Sequence, residues 1–89
     1  MADEVLRVRP DALEWRNVEG EIVALDLRRS LYLAINPSGA TLWPDLIEGA
    51  TREQLVARLE HAHALPPDQA SRDVETFLVQ LATHDLLET

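Results

Sequence analysis

The stretch Leu31-Tyr32-Leu33-Ala34-Ile35-Asn36-Pro37-Ser38-Gly39-Ala40-Thr41-Leu42-Trp43 changes period in its middle. Through Ile35 it is an unbroken apolar run between polar residues, which reads as a strand. From Asn36 it reads as a helix. Asn36 is a capping residue type, and Pro37 at the first helical position lacks only an amide that a helix start leaves unpaired anyway. Ala40, Trp43, Leu46 and Ile47 then fall on one helical face. The chain therefore divides near residue 36 into a β part and an α part.

Before this point, Val5, Leu6 and Val8 make a short extended start, ended by Pro10. Ala12 to Val18 alternates Leu13 and Trp15 with Glu14 and Arg16. Glu19-Gly20 supplies a turn, and Glu21 to Leu27 carries Ile22, Val23 and Leu25. Arg28, Arg29 and Ser30 form a polar connection to the strand at Leu31. Short runs joined by short polar turns predict an antiparallel meander.

Beyond it, Pro44 removes the helical bond to the Ala40 carbonyl and predicts a kink. Gly49 is placed to close this helix in a left-handed conformation. Thr51 and Gln54 have capping-box spacing for a second helix, whose apolar face is Leu55, Leu59 and Ala62. Pro66-Pro67 opens a third, with Ala70, Val74, Phe77, Leu78 and Leu81 in a stripe and Val79 and Ala82 beside it. The apolar arc from Phe77 round to Val79 spans roughly 200°, wider than the ~100° a surface helix needs. Either the helix is well buried, or one flank serves the core and the other a groove. Trp15 and Trp43 are assigned to the core. The expected architecture is α+β and winged-helix-like: a three-stranded antiparallel sheet followed by three helices, in one domain spanning 1–89.

Composition narrows the function. The chain has 89 residues, 46% of them apolar, with 16 Asp and Glu against 8 basic residues, all Arg, for a net charge of -8. An acid excess of this size disfavours phosphate-backbone binding, so no nucleic acid is expected, and no anionic membrane surface. No apolar run approaches the roughly 20 residues of a spanning helix. The acidic start Met1-Ala2-Asp3-Glu4 does not read as a signal peptide, and the expected location is cytoplasmic. The sequence contains no Cys, which removes disulfides and thiolate metal sites.

No catalytic constellation stands out. The three glycines, Gly20, Gly39 and Gly49, are explained by turns and helix ends, with no phosphate loop and no nucleophile elbow. His61 and His63 lie two apart, about 200° around a helix, and do not share a metal face. Asp73 and Glu75 have the same spacing and read as a solvated face rather than an acid/base pair. No enzyme, no metal and no cofactor are expected.

Binding remains. The strand Leu31–Ile35, last of the meander, falls at a sheet edge without the charge, proline or bulge that protects such edges. It is either covered by a helix or available for strand addition by a peptide.

At Tyr32-Leu33-Ala34-Ile35-Asn36-Pro37-Ser38-Gly39-Ala40-Thr41-Leu42-Trp43 the sequence resembles the family of pyrroloquinoline quinone biosynthesis protein D. The shared pattern is an aromatic-containing strand, Asn, small residues with Gly, and an aliphatic-Trp helix start. Gly49-Ala50-Thr51, a helix, and a last helix ending in Leu86-Leu87 continue it, so the resemblance runs from about Ala12 to Glu88. Asp85 stands where the family commonly has Gly, and Pro44 is outside the pattern. The resemblance implies a recognition element that binds the N-terminal leader of a ribosomally made precursor peptide. In this fold the leader adds to the third strand in a groove closed by the third helix.

Within the family the chain looks most like the stand-alone recognition proteins of lasso-peptide biosynthesis. That implies as partners a precursor leader carrying Tyr-x-x-Pro, a leader cysteine protease and a macrolactam synthetase. Two alternatives remain: a precursor chaperone for a radical enzyme, as in pyrroloquinoline quinone synthesis, or a winged-helix regulator. The peptide-binding residues expected are Tyr32, Leu33, Ala34 and Ile35 on the strand, with Asp73, Val74, Phe77, Leu78 and Leu81 on the third helix. Alternation separates Leu31, Leu33 and Ile35 from Tyr32 and Ala34, and leaves open which set faces the helices. For the apolar helix residues the competing role is plain core packing; Phe77, the single Phe, is favoured for the groove.

Overall fold

Alternation in the first third of the chain becomes a three-stranded antiparallel meander in the computed structural model, which describes residues 4–88. The acidic start at residues 1–3 lies outside the described residues. The elements are β1 (Arg7–Val8), β2 (Leu13–Val18), β3 (Glu21–Asp26), β4 (Leu31–Ile35), α1 (Pro37–Glu48), α2 (Arg52–His63), α3 (Pro67–Thr83) and β5 (Leu87–Glu88). The main sheet has the order β2-β3-β4, so β4 is an edge. The fold is α+β, a three-stranded sheet followed by three helices.

The hairpin turn Glu19-Gly20 has φ of 55° and 87°, the double positive φ of a two-residue turn matched to strand twist. Register pairs Ile22 with Ile35, Ala24 with Leu33 and Asp26 with Leu31. Ile22, Ala24, Asp26 and Ile35 are buried, so this is the face toward the helices. Leu31, Leu33 and Ile35 therefore point inward, and Tyr32 and Ala34 outward. β3 ends at Asp26, one residue short of the strand read from sequence. The Asp26 carboxylate accepts the amides of Arg28 (3.0 Å) and Arg29 (3.2 Å) and turns the chain there.

The helix starts follow their capping residues. Asn36 Oδ1 accepts the Gly39 amide at 2.7 Å, and Thr51 and Gln54 complete a reciprocal capping box. α1 continues through Pro44, which is exposed. Gly49 ends α1 at φ 105°, ψ 129°, a positive-φ conformation outside the left-handed helical well expected for it. The Gly49 amide still returns to the Asp45 carbonyl at 2.8 Å.

Three expectations are corrected. α3 stops at Thr83 instead of running to Leu86-Leu87. Asp85 takes a left-handed φ of 54°, its amide returning to Ala82 and that of Leu86 to Leu81, both at 2.9 Å. These two bonds are the Schellman stop, made here with Asp in the place usually held by Gly. The freed Leu87–Glu88 then pairs with Arg7–Val8 as a second, two-stranded sheet that no local pattern announces. Finally, Trp15 is 42% exposed, since it lies on an edge strand; it meets the buried Trp43 edge-on at 6.1 Å. Ala62, expected on the inner face of α2, is exposed, while Leu55 and Leu59 are buried.

Candidate peptide-binding edge

β4 has one partner. Beyond its pairing with β3, Leu31–Ile35 make no backbone hydrogen bond among the described residues. The outward amides and carbonyls of β4 are thus open along one side, the template an added strand uses. Tyr32 is 75% exposed and Leu31 47%, while Ile35 is buried where the strand meets α1.

α3 lies alongside this edge. It packs on α2 and α1, and α1 in turn packs on β3 and β4. Near Ile35 the Phe77 ring closes on Gly39: a β-carbon there would stand 2.6 Å from Phe77 Cε1 and 2.7 Å from Ile35 Cγ2. At the other end, Arg29 Nη1 donates to the His84 carbonyl at 2.7 Å. From Phe77 to His84 is seven residues, about 10 Å of helix, and from Ile35 back to Leu31 is about 13 Å of strand. The second half of α3, from Phe77 onward, therefore runs antiparallel to β4, tied to the Ile35 end through Phe77 and Gly39 and to the β3–β4 turn through His84 and Arg29.

The helix residues expected as groove walls lie beneath the surface. Val74, Leu78 and Leu81 are buried, and Phe77 is only 2% exposed, with its ring edge-on to Trp43 at 6.4 Å. The Phe77 ring is drawn into the space that Gly39 leaves. Asp73 shares the Phe77 flank of α3 four residues earlier, is half-buried and accepts from Gln69 Nε2 at 2.8 Å. Glu75 points elsewhere and pairs with Arg52 of α2 at 2.7 Å. Val79 and Ala82, on the opposite flank, are exposed.

Sequence reasoning missed the ionic cluster that fastens α3 to the β3–β4 turn. Asp26 is fully buried and takes Arg29 Nη1 at 3.0 Å. Burial pushes its carboxyl upward, but the Arg29 side chain and the amides of Arg29 and Arg28 outweigh this, and its pKa falls below the ordinary 3.8. Arg28 donates to the Asp85 carbonyl (3.0 Å) and carboxylate (3.1 Å), and Arg9 reaches the same carboxylate at 3.4 Å. The Arg28 hydrogen bond, then the charge of Arg9, holds Asp85 low as well. The available signal was an Asp ending an apolar strand just before Arg-Arg.

A second omission is the outer sheet face. Val18, Val23, Leu25 and Tyr32, with Glu14 and Arg16, line an open concavity of about 630 Å³, which Trp15 borders from the inner face of β2. His63 Nε2 meets Thr41 Oγ1 at 2.8 Å, and no group of three or more metal-ligating side chains occurs among the described residues. No described helix is long and apolar enough to cross a membrane.

An α+β domain whose sheet ends in an unpaired edge beside its last helix is the class defined by these observations. The chain belongs to the PqqD family: residues 21–87 match the family described as Coenzyme PQQ synthesis protein D (PqqD). It is similar in structure to TbiB1, solved in complex with the TbiA(beta) leader peptide. The TM-score is 0.82 at 28% sequence identity, over 92% of this chain and 94% of that one. A search of curated protein sequences finds no match to this chain.

Proposed function

We propose that this chain is a non-catalytic, single-domain recognition protein, acting in the cytoplasm, that binds the leader of a ribosomally made precursor by strand addition to β4. The observation that carries this reading is the unpaired edge of Leu31–Ile35 with α3 alongside it. The likeness to TbiB1, a protein solved with a leader peptide, supports it. Tyr32, Leu33, Ala34 and Ile35 form this edge: alternate residues offer main-chain partners on its open side, and one face offers side-chain contacts. Phe77, Leu78, Leu81 and Val74 hold the helix wall in place, and Asp73 stands half-buried on the Phe77 flank.

The resemblance read from the sequence favours a lasso-type precursor with Tyr-x-x-Pro in its leader, handed on to a separate leader cysteine protease and a macrolactam synthetase. The description of the matched family favours a second reading, a precursor chaperone for a radical enzyme of quinone-cofactor synthesis. Fluorescence polarisation with labelled leaders of both kinds separates them. Micromolar or tighter binding to the lasso-type leader, lost when its Tyr or Pro becomes Ala, is the expected result. Binding to neither leader refutes both readings.

A further inference from the structure

This acidic chain gathers three of its eight arginines, Arg9, Arg28 and Arg29, where the β3–β4 turn meets the end of α3. Arg9 and Arg28 share Asp85 and line a cleft of about 300 Å³ that also holds Asp11 and Glu88, so acids balance them on that side. Arg29 differs. Its Nη1 is fixed twice, by Asp26 Oδ2 at 3.0 Å and the His84 carbonyl at 2.7 Å. Its Nε and Nη2 have no partner among the described residues, and its side chain is 43% exposed. Asp26, the anchor, is fully buried and is itself held by two backbone amides. The guanidinium is thus immobilised at the Leu31 end of the edge with unused donors of its fork. An arginine ordered in advance loses little entropy when a carboxylate arrives, and its planar donors suit one. At the other end of the groove, the same flank of α3 carries Asp73.

We infer that Arg29 is a specificity-determining residue that reads a carboxylate on the bound peptide. The group is an Asp or Glu side chain on a residue just past the stretch paired with Leu31–Ile35, at the Leu31 end. This rests on the strand-addition reading and deepens it. The ligand is then an extended peptide, apolar where it lies on β4, acidic where it crosses the β3–β4 turn, and without an acid beside Asp73.

The test uses fluorescence polarisation of the full chain with labelled lasso-type leaders containing Tyr-x-x-Pro. A single Glu is moved through the positions flanking that segment, each peptide paired with its Gln twin. At one flanking position Glu is expected to bind about two- to fivefold tighter than Gln, with the gap closing as salt rises. Arg29→Gln is expected to erase the gap between the twins. Should Arg29→Gln fail to fold, Arg29→Lys keeps a charge beside Asp26 without the fork and is expected to narrow the gap. Equal affinities of the twins at every position, or a gap undiminished in the variants, overturns the proposal. If no peptide of the set binds, strand addition itself fails, and the role of Arg29 falls with it.

Discussion

Gly39 and Phe77 occupy each other's space: the position of a β-carbon on Gly39 lies 2.6 Å from Phe77 Cε1. The first turn of α1 and the middle of α3 approach this closely because Gly39 has no side chain. Ile35 Cγ2, at the end of the edge strand, is the third member of the contact at 2.7 Å. Gly39→Ala forces the ring or the strand end to move, and overpacking of this kind costs about 1–3 kcal/mol. Urea denaturation checks it. An unchanged midpoint contradicts the close approach.

Phe77→Ala opens a cavity beside Trp43 and is expected to cost about 3–5 kcal/mol, a large share of the stability of a domain this small. Phe77→Leu keeps most of the volume and is expected to retain the fold and the leader affinity. Lower affinity in the Leu variant at unchanged stability places the ring in the groove instead.

Leu33 and Ala34 separate the two sides of β4. In an antiparallel strand, neighbouring residues aim their amide and carbonyl in opposite directions. One of the two therefore bonds β3, and the other faces the open edge. Proline at the first disrupts the sheet; proline at the second leaves the domain folded and removes a donor to the peptide. Circular dichroism and leader binding on both variants are expected to split in this way. Two folded variants with normal affinity refute strand addition.

Acid is expected to loosen the clasp between the β3–β4 turn and α3. Asp26 and Asp85 have pKa values below 3.8 when folded. A depressed carboxylate stabilises the fold above its unfolded pKa, and that contribution is lost as pH falls through the folded value. Stability is therefore flat with respect to these groups near neutrality and declines from about pH 4 downward. Thermal melts across pH 2–7 measure it, and Asp26→Asn is expected to lower Tm at pH 7 and flatten the acid limb. An acid limb unchanged in Asp26→Asn assigns the decline to other groups.

The sequence by itself determined the elements. The two-residue turn at Glu19-Gly20, the cap at Asn36, the box at Thr51 and Gln54 and the break at Pro66-Pro67 are local chemistry, legible within a few residues. The α+β order and the position of Leu31–Ile35 as the last strand of the meander follow from them. Tertiary structure decided the rest. Which face of β4 turns inward depends on pairing with Ile22, Ala24 and Asp26, since alternation gives two faces and no preference between them. Phe77 is buried because Gly39, nearly forty residues earlier, leaves room for its ring. Leu87 forms a strand because Val8, at the far end of the chain, is there to pair with it. Arg29 became rigid because a buried carboxylate and the end of α3 meet at one nitrogen. Each of these rests on contacts between distant residues, and such contacts exist only once the chain has folded.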